Sequence, residues 1–195
     1  MSFIKPHERV DDLQLNGLRI IQNPCAFRFG MDAVLLASFT RLRPHDRVAD
    51  MGTGTGILSL LLSQQEPTAS FEAVELQADM ADMAARSVRL NGLEDRICVR
   101  QADMRMAYEI IGRESMDAAV CNPPYGKRGG TLPSDRDGVN LSRHEASLTI
   151  REASKACAAV LRTHGRLSMV FPAARMLELC DALRESRLEP KRARM

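Results

Sequence analysis

The residues Asn122-Pro123-Pro124-Tyr125, which close the apolar run Asp117-Ala118-Ala119-Val120-Cys121, have types and spacing suited to one narrow kind of chemistry. An exocyclic amine on a base, or a carboxamide nitrogen, is a poor nucleophile because its lone pair is delocalised into the ring or carbonyl. Two acceptors that bind both N–H hydrogens localise that pair and turn it toward an incoming methyl group. The Asn122 side-chain oxygen and the Pro123 carbonyl are such acceptors, since proline locks φ and holds the preceding residue extended. Tyr125 can stack on a planar substrate. Asn122, Pro123 and Tyr125 are therefore a candidate catalytic set for methyl transfer to a planar amino nitrogen. The same residues also make an ordinary strand-to-loop turn, and the rest of the chain has to decide between the two.

A second constellation lies upstream. Asp50-Met51-Gly52-Thr53-Gly54-Thr55-Gly56 follows an apolar run and opens a helical pattern, the place of a nucleotide-type binding turn. Ile57 stands where a dinucleotide fingerprint needs its third glycine, and no Gly-Lys-Ser/Thr follows, so NAD and a Walker A loop both fit poorly. An acid leading Gly52, Gly54 and Gly56 suits a ligand bearing a charged amino acid group, whose ammonium Asp50 can hold directly or through water. Glu75, ending Ala73-Val74-Glu75, can accept from both hydroxyls of a ribose. Asp103, with Met104 beside it, can accept from an adenine amine. Each acid alone also reads as a helix cap or turn residue, but together they describe S-adenosylmethionine.

The elements that must position these residues are legible as alternation. Short apolar runs at 47–51, 70–76, 97–102, 116–121 and 166–171 read as strands, and amphipathic patterns at 56–65, 78–90, 147–161 and 175–188 as helices. Alternation of this kind predicts an α/β fold with a parallel sheet and crossover helices. Gly92 and Gly165 stand where helix C-termini are expected. Upstream, 13–15 and 18–21 flank Asn16-Gly17, a favoured hairpin turn, and a helix is expected over about 32–41. Residues 126–143 lack apolar periodicity and read as a mobile substrate loop.

Composition bounds the rest. A chain of 195 residues with 45% hydrophobic content suits one domain, and a net charge of +2 neither demands nor excludes a polyanion. Five cysteines without a Cys-x-x-Cys pair read as buried thiols in a reducing compartment, and four scattered histidines give a metal site little support. The start lacks a signal-peptide core and no apolar run approaches a membrane span, so a cytoplasmic protein is expected. Six phenylalanines, two tyrosines and no tryptophan offer no multi-base stacking platform, which favours a single base flipped from a structured loop.

These motifs resemble those of class I S-adenosylmethionine-dependent methyltransferases, and among them the Asn-Pro-Pro-Tyr amino methyltransferases. More narrowly, Phe27-Arg28-Phe29-Gly30-Met31-Asp32-Ala33-Val34-Leu35-Leu36-Ala37 and Ser142-Arg143-His144-Glu145 resemble segments of the bacterial tRNA(Val) adenine-37 N6-methyltransferase family. The resemblance implies a Rossmann-like fold with a mostly parallel sheet and helices on both faces. It implies one domain over 1–195, made of an N-terminal hairpin and helix over 1–46 and a cofactor-binding core over 47–195. Family members continue into a further strand hairpin, so a shortened form of a longer protein is expected. It also implies that Phe29, Met31 and Asp32 line the methionine end of the cofactor, and that the substrate is an adenine in tRNA or another structured RNA.

Lys127, Arg128, Arg136 and Arg143 around the loop, and Arg184, Arg187, Lys191, Arg192 and Arg194 near the end, are candidate RNA contacts. A solvated face with interspersed acids is their competing reading. His144 reads as structural or RNA-facing rather than as a base. The alternatives are a protein glutamine N5-methyltransferase, which meets the same lone-pair problem, a DNA adenine methyltransferase, and a protein that binds S-adenosylmethionine or RNA without turnover.

Overall fold

The structure is a computed structural model that describes residues 3–25, 29–123 and 148–195. The predicted loop at 126–143 and residues Tyr125, Lys127, Arg128, Arg136, Arg143 and His144 lie outside them, as do Phe27 and Arg28. The described elements run β1 (Arg9–Asp12), β2 (Arg19–Gln22), α1 (Met31–Phe39), β3 (Arg47–Met51), α2 (Ile57–Gln65), β4 (Ser70–Glu75), α3 (Ala78–Leu90) and β5 (Ile97–Gln101). They continue with a 3-10 turn (Met104–Met106), α4 (Ala107–Ile111), β6 (Met116–Cys121), α5 (Ile150–Val160), β7 (Leu161–Met169), a second 3-10 turn (Ala173–Arg175) and α6 (Met176–Glu185).

Five strands form a sheet in the order β5-β4-β3-β6-β7, every neighbouring pair parallel. The chain steps outward from β3 to β4 and β5, then crosses back to β6 and β7. The reversal between β3 and β6 makes the crevice above their carboxyl ends the switch point at which open α/β sheets take ligands. Residues along the central strands alternate between two cores. Val48, Ala118 and Val120 pack with α1, α2 and Val88 of α3, whereas Ala49, Met51, Ala119 and Cys121 pack with α4 and α5. Helices thus cover both faces, and α6 packs on α5.

Several boundaries differ from the sequence reading, each for a physical reason. The hairpin strands lie further from the turn than expected, because the charged run Arg9-Val10-Asp11-Asp12 pairs with Arg19–Gln22. Asn16 and Gly17 form the turn itself at φ 50° and 75°, with Leu18 N–H donating to the Leu15 carbonyl at 2.9 Å. The helix expected over 32–41 ends at Phe39, where Thr40 becomes extended and its hydroxyl donates to the Leu36 carbonyl at 2.8 Å.

β7 starts at Leu161, five residues before the expected strand, directly after α5. Gly165 is therefore no helix cap. It sits inside β7, where the pairing with β6 slips between Met116 and Ala118, and a Cβ there would lie 2.8 Å from the Arg162 carbonyl. Helix α2, expected to be amphipathic, is buried from Ile57 through Ser63 because α1 and the sheet flank it. Helix α4 and the turn before it were too short to register as periodicity.

The N-terminal segment is pinned to α3. Arg86 donates to both Glu8 carboxylate oxygens at 2.6 Å, to Asp82 at 2.9 Å and to the Phe3 carbonyl at 2.7 Å. At the other end of the core, Thr149 and Glu152 form a reciprocal capping box that starts α5 immediately after the undescribed segment. Such caps contribute about 1 kcal/mol. Of the five cysteines, only Cys121 and Cys157 are fully buried; Cys98 and Cys180 are half-buried and Cys25 is exposed, which corrects the expectation of buried thiols throughout. No helix among the described residues is long and apolar enough to cross a membrane.

Candidate active site

Asp50, the penultimate residue of β3, is completely buried. Its Oδ2 accepts from the Thr53 hydroxyl at 2.6 Å, the Ser59 hydroxyl at 2.7 Å and the Ser59 N–H at 3.1 Å. It thereby ties the strand end to the glycine turn and to the first turn of α2. Its other oxygen, Oδ1, is buried with no hydrogen-bond partner among the described residues. Burial pushes the carboxyl up to about 6, against the opposing pull of Thr53 and Ser59, and the nearby Glu75 charge adds to the rise.

The glycine turn wraps over the end of β4. Gly52 N–H and Thr53 N–H both donate to the Val74 carbonyl, at 2.9 and 3.0 Å. Gly52 and Gly56 have φ of 79° and 90°, a region that costs other residues about 1 kcal/mol or more. A Cβ on Gly52 would also meet the Met104 Cε at 3.0 Å, so the bare backbone at this position is what lets the turn pass beneath Met104.

Glu75, ending β4, accepts from Gly54 N–H through Oε2 and from Gln77 N–H through Oε1, both at 2.9 Å. Burial raises its carboxyl above the ordinary range, and those backbone donors hold the rise in check. Leu76 N–H also pulls on this carboxylate, which has about four acceptor positions in all. Asp103, after β5, is gripped by the fork of Arg105, with contacts from 2.5 to 3.0 Å, and the guanidinium holds its carboxyl below the usual range. Arg105 in turn lies 3.8 Å from Glu152, the capping residue of α5.

Asn122 and Pro123 leave β6 beside this turn, for Met51 and Cys121 are register partners in the sheet. Pro123 is buried and Asn122 half-buried. The carboxyl ends of β3, β4, β5 and β6 therefore carry Asp50, Glu75, Asp103 and Asn122 along one edge of the sheet, as their spacing predicts. Phe29 packs against the core on the α1 side, while Met31 and Asp32 begin α1 in exposed positions, Met31 at 69%. Among the described residues no group of three His, Cys, Asp or Glu converges as a set of metal ligands.

The family model "Methyltransferase small domain" matches residues 28–186, which include every acid of this edge and Asn122. The chain belongs to that family. A tRNA1(Val) (adenine(37)-N6)-methyltransferase of Tolumonas auensis is 34% identical over 154 residues, covering 78% of this chain and 62% of the relative. A protein of the same description from Parabacteroides distasonis is 29% identical, with 92% of this chain and 74% of the relative covered. The chain thus spans under two thirds of the length of the first of these. The crystal structure of a predicted O-methyltransferase from Agrobacterium tumefaciens superposes with a TM-score of 0.61 at 25% identity, over 78% of this chain and 66% of the other.

Within this candidate site, three partners escaped the sequence reading. Thr53 and Ser59 hold Asp50, and Arg105 holds Asp103. Thr53 and Ser59 could have been found from position, since both fall in the turn and first helical residues that close over the strand end. Arg105 carried no such signal, because a cation two residues after an acid is common on any surface.

Proposed function

We propose that this protein transfers a methyl group from S-adenosylmethionine to the N6 nitrogen of an adenine in tRNA. The observation that carries the reading is the adjacency of Asn122 to the Asp50 glycine turn across the β3–β6 switch point. The similarity to curated tRNA1(Val) adenine-37 methyltransferases supports the choice of adenine in tRNA.

The residues fit the cofactor. The unpartnered, buried Asp50 Oδ1 suits a cationic group reached directly or through water. The Glu75 carboxylate suits ribose hydroxyls, and the bare backbone at Gly52 leaves room that a side chain would fill. Phe29, Met31 and Asp32 are assigned to the methionine end and Asp103 with Met104 to the adenine. When bound, S-adenosylmethionine supplies a sulfonium-activated methyl group.

The protein's part is placement. Asn122 and the Pro123 carbonyl accept the two N–H hydrogens of the target amine and turn its lone pair out of the ring plane. Tyr125 stacks on the base, a contact worth about 1 to 3 kcal/mol, and Lys127, Arg128 and Arg143 take phosphates. The amine loses its proton after transfer, so His144 has no required role as a base.

The test is transfer of labelled methyl from S-adenosylmethionine to purified tRNA, DNA and protein fractions, followed by nucleoside and peptide analysis. N6-methyladenine in tRNA is expected, and label confined to glutamine in protein would overturn the reading. Asn122→Ala should abolish turnover while cofactor affinity changes less than about threefold.

A further inference from the structure

The end of the sheet opposite the candidate site carries a cluster of cations assembled from two distant segments. Residues 40–46 join the C-terminus of α1 to the start of β3, and so lie at the amino end of the parallel strands. After α6 the chain passes from one face of the sheet to the other and docks on α1. The Arg192 guanidinium lies 4.1 Å above the Phe39 ring centre and donates to the Phe39 carbonyl at 2.5 Å. That staple anchors the segment 191–194 at the C-terminal end of α1, two residues before Arg41.

Lys191, Arg192, Arg194, Arg41 and Arg43 are all exposed, and Arg41, Arg43, Lys191 and Arg194 enter no ion pair among the described residues. Nearby acids are each paired: Asp46, which also accepts the Arg43 N–H, with Arg166, Glu185 with Arg151 and Glu189 with Arg184. Glu66, on the neighbouring loop, accepts from the Thr68 hydroxyl and N–H. Interspersed acids thus do not neutralise this patch, whereas the nearby Arg184 is paired.

We propose that Arg41, Arg43, Lys191, Arg192 and Arg194 form a phosphate-binding surface for the RNA substrate, remote from the reacting base. The partner assignment rests on the tRNA reading above. Five residues of β3 separate the patch from the switch point, roughly 17 Å at the rise of an extended strand. A trinucleotide held at the site is too short to reach such a surface, whereas a folded tRNA spans both. The patch contributes affinity for the whole molecule and carries no base specificity.

The experiment measures binding of the 195-residue chain to intact tRNA and to a trinucleotide centred on adenosine across a salt series. The variant is R41Q/R43Q/K191Q/R194Q, which spares the Arg192 staple and whose fold is verified by its thermal midpoint. Affinity for intact tRNA should fall at least tenfold, and the slope of log K against log salt should become shallower by about 3. Affinity for the trinucleotide should stay within twofold. Unchanged affinity and slope for intact tRNA would overturn the surface, as would equal losses on both RNAs. An unchanged tRNA affinity with lost binding to vesicles of phosphatidylcholine and phosphatidylserine would reassign the patch to anionic lipid. Because binding is read without turnover, loss of RNA methylation with the expected salt behaviour would sink the functional reading and leave the surface standing.

Discussion

Glu75 Oε2 accepts the Gly54 N–H at 2.9 Å, which ties the end of β4 to the middle of the glycine turn at the end of β3. The contact makes the acid that ends β4 and the backbone of the glycine turn a single unit. It also brings the Glu75 charge close enough to Asp50 to raise the latter's carboxyl. Two buried acids that share a turn give the site a built-in pH response.

Asp50 has a folded value of about 6 against an ordinary 3.8. The folded chain therefore holds this proton where the unfolded chain has released it, so stability from this group falls as pH rises from about 4 to 6. The full cost, on the order of 3 kcal/mol, stands above pH 6. Urea unfolding of wild type and Asp50→Asn at pH 4.5 and 7 isolates it. The variant should lack that part of the pH dependence, and identical slopes in the two proteins would contradict the burial argument.

Gly52→Ala places a side chain at φ 79° with Met104 Cε 3.0 Å from its Cβ. The flexible end of Met104 can move, so the dihedral penalty dominates, about 1 to 2 kcal/mol. Thermal melts should show that loss. Titration with S-adenosylhomocysteine should show a larger fractional loss than Gly92→Ala, which has a similar φ of 63° and open space around it.

Arg86→Ala leaves the Glu8 carboxylate, whose side chain is only 5% exposed, without its bidentate partner. Removing one member of a buried pair costs about 3 to 5 kcal/mol. The paired replacement Glu8→Gln with Arg86→Met should recover much of it. Denaturant unfolding of the single and double variants measures both, and additive losses would mean that the pair is not coupled.

Arg105→Ala frees the Asp103 carboxylate from its fork but removes only a half-exposed ion pair. Stability should change by less than about 1 kcal/mol. If the fork aims Asp103 at an adenine amine, affinity for S-adenosylhomocysteine should drop several-fold, while affinity for the inosine analogue, which lacks that amine, stays level. Calorimetry with the two ligands separates this from a general loss of fold.

Much of this protein was legible before folding. Arg47–Met51, Ala78–Leu90 and Met116–Cys121 appeared at their exact bounds because local apolar periodicity is a property of neighbouring residues. Asp50, Glu75, Asp103 and Asn122 were legible as a set because each lies at or just past the carboxyl end of a strand, and parallel strands point those ends to one edge. Elements held together by distant pairing were not. β1 is charged and forms only against β2, α4 is shorter than a detectable period, and Gly165 is explained only by the Arg162 carbonyl beside it.

The sequence alone determined that acids, glycines and Asn122 would meet at a strand edge, since alternation of strands and helices leaves them nowhere else to go. Only the tertiary structure decided what each carboxylate is free to do. Asp50 is saturated on one oxygen and bare on the other, and Asp103 is gripped by Arg105. It also decided that Arg192 would dock on Phe39 at the end of α1, two residues before Arg41. Burial and partnership depend on residues far apart in the chain, and no periodicity encodes them.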